Sequence, residues 1–236
     1  MNKSILLIFA HPDDESFGLG GTIAKYTHQG IPVDLICATR GEKGTRFKVP
    51  AHIETGVARE SELRTAGFVL GIRNIYFLDY IDGELDKLDT AQIAGKIIEI
   101  MKKVQPEVVI TFGPDGITGH PDHITIGRAA TRAFNQLKGT PFIPRKLYYA
   151  AIPASEWPDA SDSGVTTMPD EMVTTTIDTT GYLTKKIEAI SAHRSQEDTY
   201  EFLEMLKNDP ESTFAKKEYI YLAQPKTSKK ETDLFQ

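Results

Sequence analysis

Five short, nearly uninterrupted apolar runs, separated by longer amphipathic stretches, constrain this chain more than any other feature. They are Ile5–Phe9, Val33–Ala38, Asn74–Leu78, Val108–Phe112 and Leu147–Ala151. A strand with one wet face alternates apolar and polar residues. These do not, so both of their faces must be covered. The stretches between them carry helical spacing, over 18–29 (Leu19, Ile23, Tyr26), 55–70 (Val57, Leu63, Ala66, Phe68, Leu70), 90–104 (Ile93, Ile97, Ile98, Met101) and 122–137. Gly30 and Pro106 supply stop signals. Such a β-α alternation predicts a doubly wound, mostly parallel α/β sheet with right-handed crossovers and strand order 3-2-1-4-5.

The later chain reads as additions to that sheet. Residues 153–170 are rich in Pro, Ser, Asp and Thr and predict a surface loop. Met172–Ile177 predicts an edge strand, Tyr182–His193 a helix and Glu218–Ala223 a last strand. One domain over 1–224 follows, with a polar tail over 225–236 that is expected to fray. At 236 residues the chain can bury a sizeable core without a disulfide or a metal.

Charge narrows the partners. Lys and Arg number 27 against 33 Asp and Glu, a net charge of −6, which argues against nucleic acid or an anionic membrane. No stretch of eighteen apolar residues exists, and the run at Ile5 is too short for a signal-peptide core. The single cysteine, Cys37, lies in an apolar run and reads as a buried structural thiol. A soluble cytoplasmic protein is the expectation.

Two clusters carry chemistry. His11-Pro12-Asp13-Asp14-Glu15 follows the first strand, and Gly119-His120-Pro121-Asp122-His123 follows the fourth. Either one alone reads equally as a metal site or as a helix-capping turn with incidental polar residues. Strands one and four are neighbours in the 3-2-1-4-5 order, so both clusters reach the carboxyl edge of the sheet at its switch point, where ligands bind. His193 would add a fourth histidine there. Two imidazoles and one carboxylate without thiolate suit one Zn²⁺ per chain with an open position, and Fe²⁺ uses a similar set. His11, Asp14 and His123 are the expected ligands. Asp13 is left free as general base, and His120, oriented by Asp122 and protonated, faces a substrate carbonyl. Zinc lowers the pKa of bound water to about 7, so the site is expected to hydrolyse an amide or ester with a bell-shaped pH profile. A non-catalytic metal- or sugar-binding module is the alternative, but it has no use for Asp13.

These residues resemble the LmbE/PIG-L family of zinc-dependent N-acetylglucosamine deacetylases. The likeness rests on His11 to Glu15 with Gly20-Gly21, and on His120-Pro121-Asp122-His123. It extends to Ala58-Arg59-Glu60-Ser61-Glu62-Leu63, Leu78 to Gly83 and Ala192 to Gln196. The resemblance implies a Rossmann-like fold, the same roles for His11, Asp13, Asp14, His120, Asp122 and His123, and a substrate held by Arg59 and Asp82. It implies removal of acetyl from a small-molecule GlcNAc conjugate, such as the malate adduct of the bacillithiol route, or from a small chito-oligosaccharide. Another acyl amide is the alternative substrate. The resemblance also admits a homo-oligomer, a trimer or hexamer. One departure is Thr118, where some relatives carry tyrosine.

Several residues draw plainer readings. Gly18-x-Gly20-Gly21 lacks the third glycine of a dinucleotide loop and is read as close packing. Thr39-Arg40-Gly41-Glu42 reads as part of a solvated rim. Glu15 is read as a hydrogen-bond partner rather than a ligand, and His193 as a helix-end residue or pocket lining.

Overall fold

The computed structural model describes residues 3–157, 160, 164–227 and 229–236. Five strands lie parallel: β1 (Ile5–Phe9), β2 (Val33–Thr39), β3 (Asn74–Tyr80), β4 (Val108–Thr111) and β5 (Lys146–Ala151). Two more, β6 (Thr175–Asp178) and β7 (Lys217–Gln224), extend the sheet beyond β5 through antiparallel pairings. The order is β3-β2-β1-β4-β5-β7-β6, the predicted 3-2-1-4-5 with its C-terminal additions. Every residue of β1, β2 and β4 is buried, as the unalternating runs require. β3 is an edge strand and keeps several residues partly open.

Helices α1 (Asp14–His28), α2 (Thr55–Leu70), α3 (Thr90–Val104) and α4 (Pro121–Gln136) connect the parallel strands. α1 and α2 pack with α5 (Leu183–Ile190), while α3 packs with α4. Two C-terminal helices, α6 (Asp198–Asn208) and α7 (Thr213–Lys216), were not predicted. α1 begins at Asp14, four residues before the predicted Gly18, because Asp14 and Glu15 suit the positive end of a helix dipole. Gly21 packs α1 closely: a Cβ there would lie 2.7 Å from the side chain of Thr179. The predicted dinucleotide-loop lookalike is therefore a packing contact.

The predicted loop over 153–170 is described only in part, since residues 158, 159 and 161–163 lie outside the described residues. Among the described residues beyond Pro225, the expected fraying does not occur. Leu234 is fully buried, and its N–H donates to the Tyr26 hydroxyl at 2.9 Å. Glu231 accepts from Tyr148 Oη at 2.7 Å and Lys146 Nζ at 2.8 Å, and its backbone bonds residues 174 and 176. A tail of polar composition thus docks through one leucine and one carboxylate. Among the described residues, no helix is long and apolar enough to cross a membrane.

Candidate active site

The site lies where β1 and β4 run side by side and their loops turn into α1 and α4. Pro121 occupies the first turn of α4. His120 caps that helix, its Nδ1 accepting from the Asp122 N–H at 3.1 Å. His123 then projects from the first turn toward His11, and Nδ1 of His11 stands 3.1 Å from Nε2 of His123.

The remaining ring nitrogens are tied down. His123 Nδ1 donates to the Gly116 carbonyl at 3.0 Å. His11 Nε2 donates to Asp82 Oδ1 at 3.0 Å and to Asp122 Oδ2 at 3.2 Å. Two facing nitrogens whose opposite nitrogens already hold protons need either a shared proton or a metal ion between them. Asp14 completes the group, with Oδ1 3.3 Å from His123 Nε2 and Oδ2 3.9 Å from His11 Nδ1. Its Oδ2 also accepts the N–H groups of Ala10 and His11. Ligand atoms about 2.0–2.1 Å from a tetrahedral zinc stand about 3.3–3.4 Å apart. The three side chains therefore suit a metal ion in number and charge, with Asp14 meeting the two imidazoles through different carboxylate oxygens. The ligand atoms of His11, His120 and His123 also lie within 4.8 Å of one another, as do those of His11, Asp82 and Asp122.

Protonation follows the same contacts. Burial lowers the affinity of His11 for a proton, but its bonds to Asp122 and Asp82 and the Asp14 charge raise its pKa to about 10. His123 is likewise raised, with burial opposed by Asp14. Asp14 lies far below the usual carboxylate range, because His123 and His11 overcome its burial. Asp13 moves the other way. Burial and the neighbouring Asp14 charge raise its pKa, and Arg59 restrains the rise.

Asp13 caps α1 with φ at 117°, a conformation an L residue seldom adopts. Its N–H donates to Glu15 Oε2 at 3.1 Å, and its Oδ2 accepts from Arg59 Nη2 at 2.8 Å. Glu15 is the predicted hydrogen-bond partner. His193 corrects an expectation: fully buried, it reaches Glu15 Oε1 at 3.0 Å and does not join the other three histidines.

Four further expectations change. Asp122 does not orient His120 through its carboxylate, which takes His11, Gly83 N–H and Leu85 N–H instead; its backbone N–H holds His120. Asp82, expected to hold substrate, is buried against His11 and accepts the Lys43 N–H, so its carboxylate is engaged within the cluster. Arg59 is only 4% exposed and donates to the Pro12 and Gly41 carbonyls as well as to Asp13. Gly41, with φ at 66°, makes room for it: a Cβ there would fall 2.2 Å from Arg59 Nη1. Nor does His120 start charged, since burial and the facing His11 and His123 lower its pKa. Neutral, with Nδ1 accepting, it keeps its proton on Nε2.

Asp13, Asp14, Thr118 and His123 line one cavity of about 620 Å³. Its far wall contains Phe17, Trp157, Phe202 and Phe214, none of them singled out in the sequence. Phe17 alone carried a signal, three residues after Asp14 on the same helix face.

A family model described as PIG-L, GlcNAc-PI de-N-acetylase, matches residues 6–134. The chain is 34% identical to the 1D-myo-inositol 2-acetamido-2-deoxy-alpha-D-glucopyranoside deacetylase of Acidothermus cellulolyticus, over all of this chain and 95% of that protein. In structure it is similar to N,N'-diacetylchitobiose deacetylase from Pyrococcus horikoshii, with TM-score 0.71 and 24% identity over 93% of this chain and 83% of that one. It is equally similar to GalB, the 4-carboxy-2-hydroxymuconate hydratase of Pseudomonas putida KT2440, with TM-score 0.71 and 21% identity over 95% and 98%. Fold likeness at this level spans two chemistries, so the reaction has to be argued from the site.

Proposed function

This chain belongs to the PIG-L family, whose model is described as GlcNAc-PI de-N-acetylase, and from that premise we propose zinc-dependent removal of acetyl from an N-acetylglucosamine-type conjugate. The observation that carries the reading is the pair of facing imidazole nitrogens, His11 Nδ1 and His123 Nε2, 3.1 Å apart beside the Asp14 carboxylate. These three residues would hold the metal. The donor set of two imidazoles and one carboxylate suits zinc, and Fe²⁺ uses a similar set, so metal analysis decides between them. When bound, the ion supplies a Lewis acid that acidifies water and polarises the amide carbonyl.

The protein's own residues divide the remaining work. Asp13, raised by burial yet paired with Arg59, takes the proton from attacking water and can pass it to the leaving amine. Neutral His120 offers its Nε2–H to the developing oxyanion. Asp82 and Asp122 fix the ring of His11. Arg59 acts through Asp13 instead of holding substrate, and Asp82 acts through His11. Within the same reading the enzyme is cytoplasmic, comprises one domain and takes a small-molecule sugar.

The test is metal content alongside amine release. Wild type is expected to carry about one zinc per chain, and Asp14→Ala and His123→Ala to lose it. Asp13→Asn is expected to keep the metal while kcat falls by about 10²–10⁴-fold. No uptake of Zn²⁺ or Fe²⁺, or full activity in Asp13→Asn, would overturn the proposal.

A further inference from the structure

The cavity does not end at the acid and histidine cluster. At about 620 Å³ it falls within the range of roughly 300–1,000 Å³ that encloses drug-sized ligands. Its far side is a continuous aromatic wall. Phe17 meets Phe202 with ring centroids 4.9 Å apart, Phe202 meets Phe214 at 5.6 Å, and Phe214 meets Trp157 at 5.7 Å, all nearly edge to face. Ile152 and Met205 line the same space. All four rings are partly buried, so each retains apolar surface that borders the cavity.

The wall begins at the reacting centre, because Phe17 stands three residues after Asp14 on α1. Away from that centre, the buried ions on the lining neutralise one another. Lys186 Nζ lies 2.8 Å from Glu218 Oε1, and Glu218 also accepts the N–H groups of Gly21 and Thr22. That part of the cavity therefore offers a ligand apolar surface and no free buried charge, the charged Asp198, Glu201 and Lys217 on its lining being exposed to solvent.

We propose that this compartment binds an apolar aglycone, an aryl or alkyl group carried on the anomeric carbon of the amino sugar. The inference rests on the deacetylase reading, in which the acyl group is acetyl and leaves only a methyl to be housed. Sugar hydroxyls lose hydrogen bonds against aromatic walls that cannot replace them. The anomeric substituent is the part of the substrate that gains there, and partly exposed rings in a concavity are the surfaces that gain by being covered.

The test uses the zinc-loaded enzyme with phenyl and hexyl β-glycosides of GlcNAc, compared with free GlcNAc, N,N'-diacetylchitobiose and N-hexanoylglucosamine. Amine release is one readout. Emission from Trp157, the chain's single tryptophan, is the other. The apolar glycosides are expected to exceed free GlcNAc by about tenfold or more in kcat/KM, mainly through KM, and to shift the Trp157 emission. In Phe202→Ser and in the milder Phe214→Leu, that ratio falls toward one. A ratio near one in wild type, or a ratio unmoved by either substitution, overturns the proposal. So does a preference for N-hexanoylglucosamine or for chitobiose that these substitutions abolish. If no compound releases amine while the apolar glycosides alone shift Trp157, the deacetylase reading fails and the apolar site stands. If no compound does either, the apolar site falls as well.

Discussion

Arg59 grips Asp13 from inside the protein, its Nη2 2.8 Å from Asp13 Oδ2, while Glu15 holds the backbone N–H of the same residue at 3.1 Å. A residue with φ at 117° is thus fixed at both its carboxylate and its peptide group. The guanidinium is anchored in turn by the carbonyls of Pro12 and Gly41, so the grip does not depend on substrate.

Removing that grip should change the pH profile more than the Michaelis constant. Arg59 lowers the pKa of Asp13, so Arg59→Met raises it and protonates the base at a higher pH. The acid limb of kcat/KM is expected to move upward and kcat to fall by about 10–100-fold, the usual effect of losing a supporting partner. Arg59→Lys should recover only part of this, lacking the fork that reaches three acceptors. If KM rises and the acid limb stays where it was, Arg59 holds substrate after all.

Metal-free protein should lose stability as pH rises above 6.5, whereas metal-loaded protein should hold it. In metal-free protein the pKa of His11 is raised from 6.5 to about 10, so its stabilising effect is complete below 6.5 and is lost as pH rises through 10. Between those limits one such group lowers unfolding free energy by about 1.4 kcal/mol per pH unit. Loading a metal must displace that proton, so the stabilisation it brings should grow with pH. Urea unfolding of both forms at pH 6, 7.5 and 9 measures the two slopes. Parallel slopes would mean that His11 is not a ligand.

Docking of the C-terminus should be worth a substantial part of total stability. Leu234 is fully buried, so Leu234→Ala is expected to cost about 2–5 kcal/mol and lower the melting temperature accordingly. A change within 0.5 kcal/mol, about that of a surface substitution, would show the tail free in solution.

The ion pair Lys186–Glu218 is almost fully buried on both sides. Lys186→Met leaves Glu218 without its counter-charge and should destabilise the protein by about 3–5 kcal/mol. Lys186→Met combined with Glu218→Gln should recover much of that loss, because no charge is then left alone. A double-mutant cycle in urea gives the coupling directly, and additive losses would exclude it.

The parts that were legible in the sequence and those that were not divide by the distance over which a pattern acts. The parallel sheet is written in local composition, in runs such as Ile5–Phe9 that are apolar at every position. The His11 and His123 clusters are also local, and the strand order brings them together. The partners of those residues are not local. Arg59 meets Asp13 across 46 positions, and Asp122 turns to His11 across 111. The aromatic wall joins Phe17 to Phe202, and no periodicity links them. The tail misleads for a related reason: composition counts its polar residues, whereas docking depends on Leu234 and Glu231.

The separation of His11 from His123, 112 positions along the chain, bears on how the protein is made. An ion held by both would act as a clasp between the first strand and the fourth helix, closing a long loop of chain. A clasp of that reach removes conformational freedom from the unfolded chain and so tightens the sheet as a whole. It cannot shut during synthesis until the chain beyond residue 123 has emerged. The first half of the site is therefore made well before its second half exists.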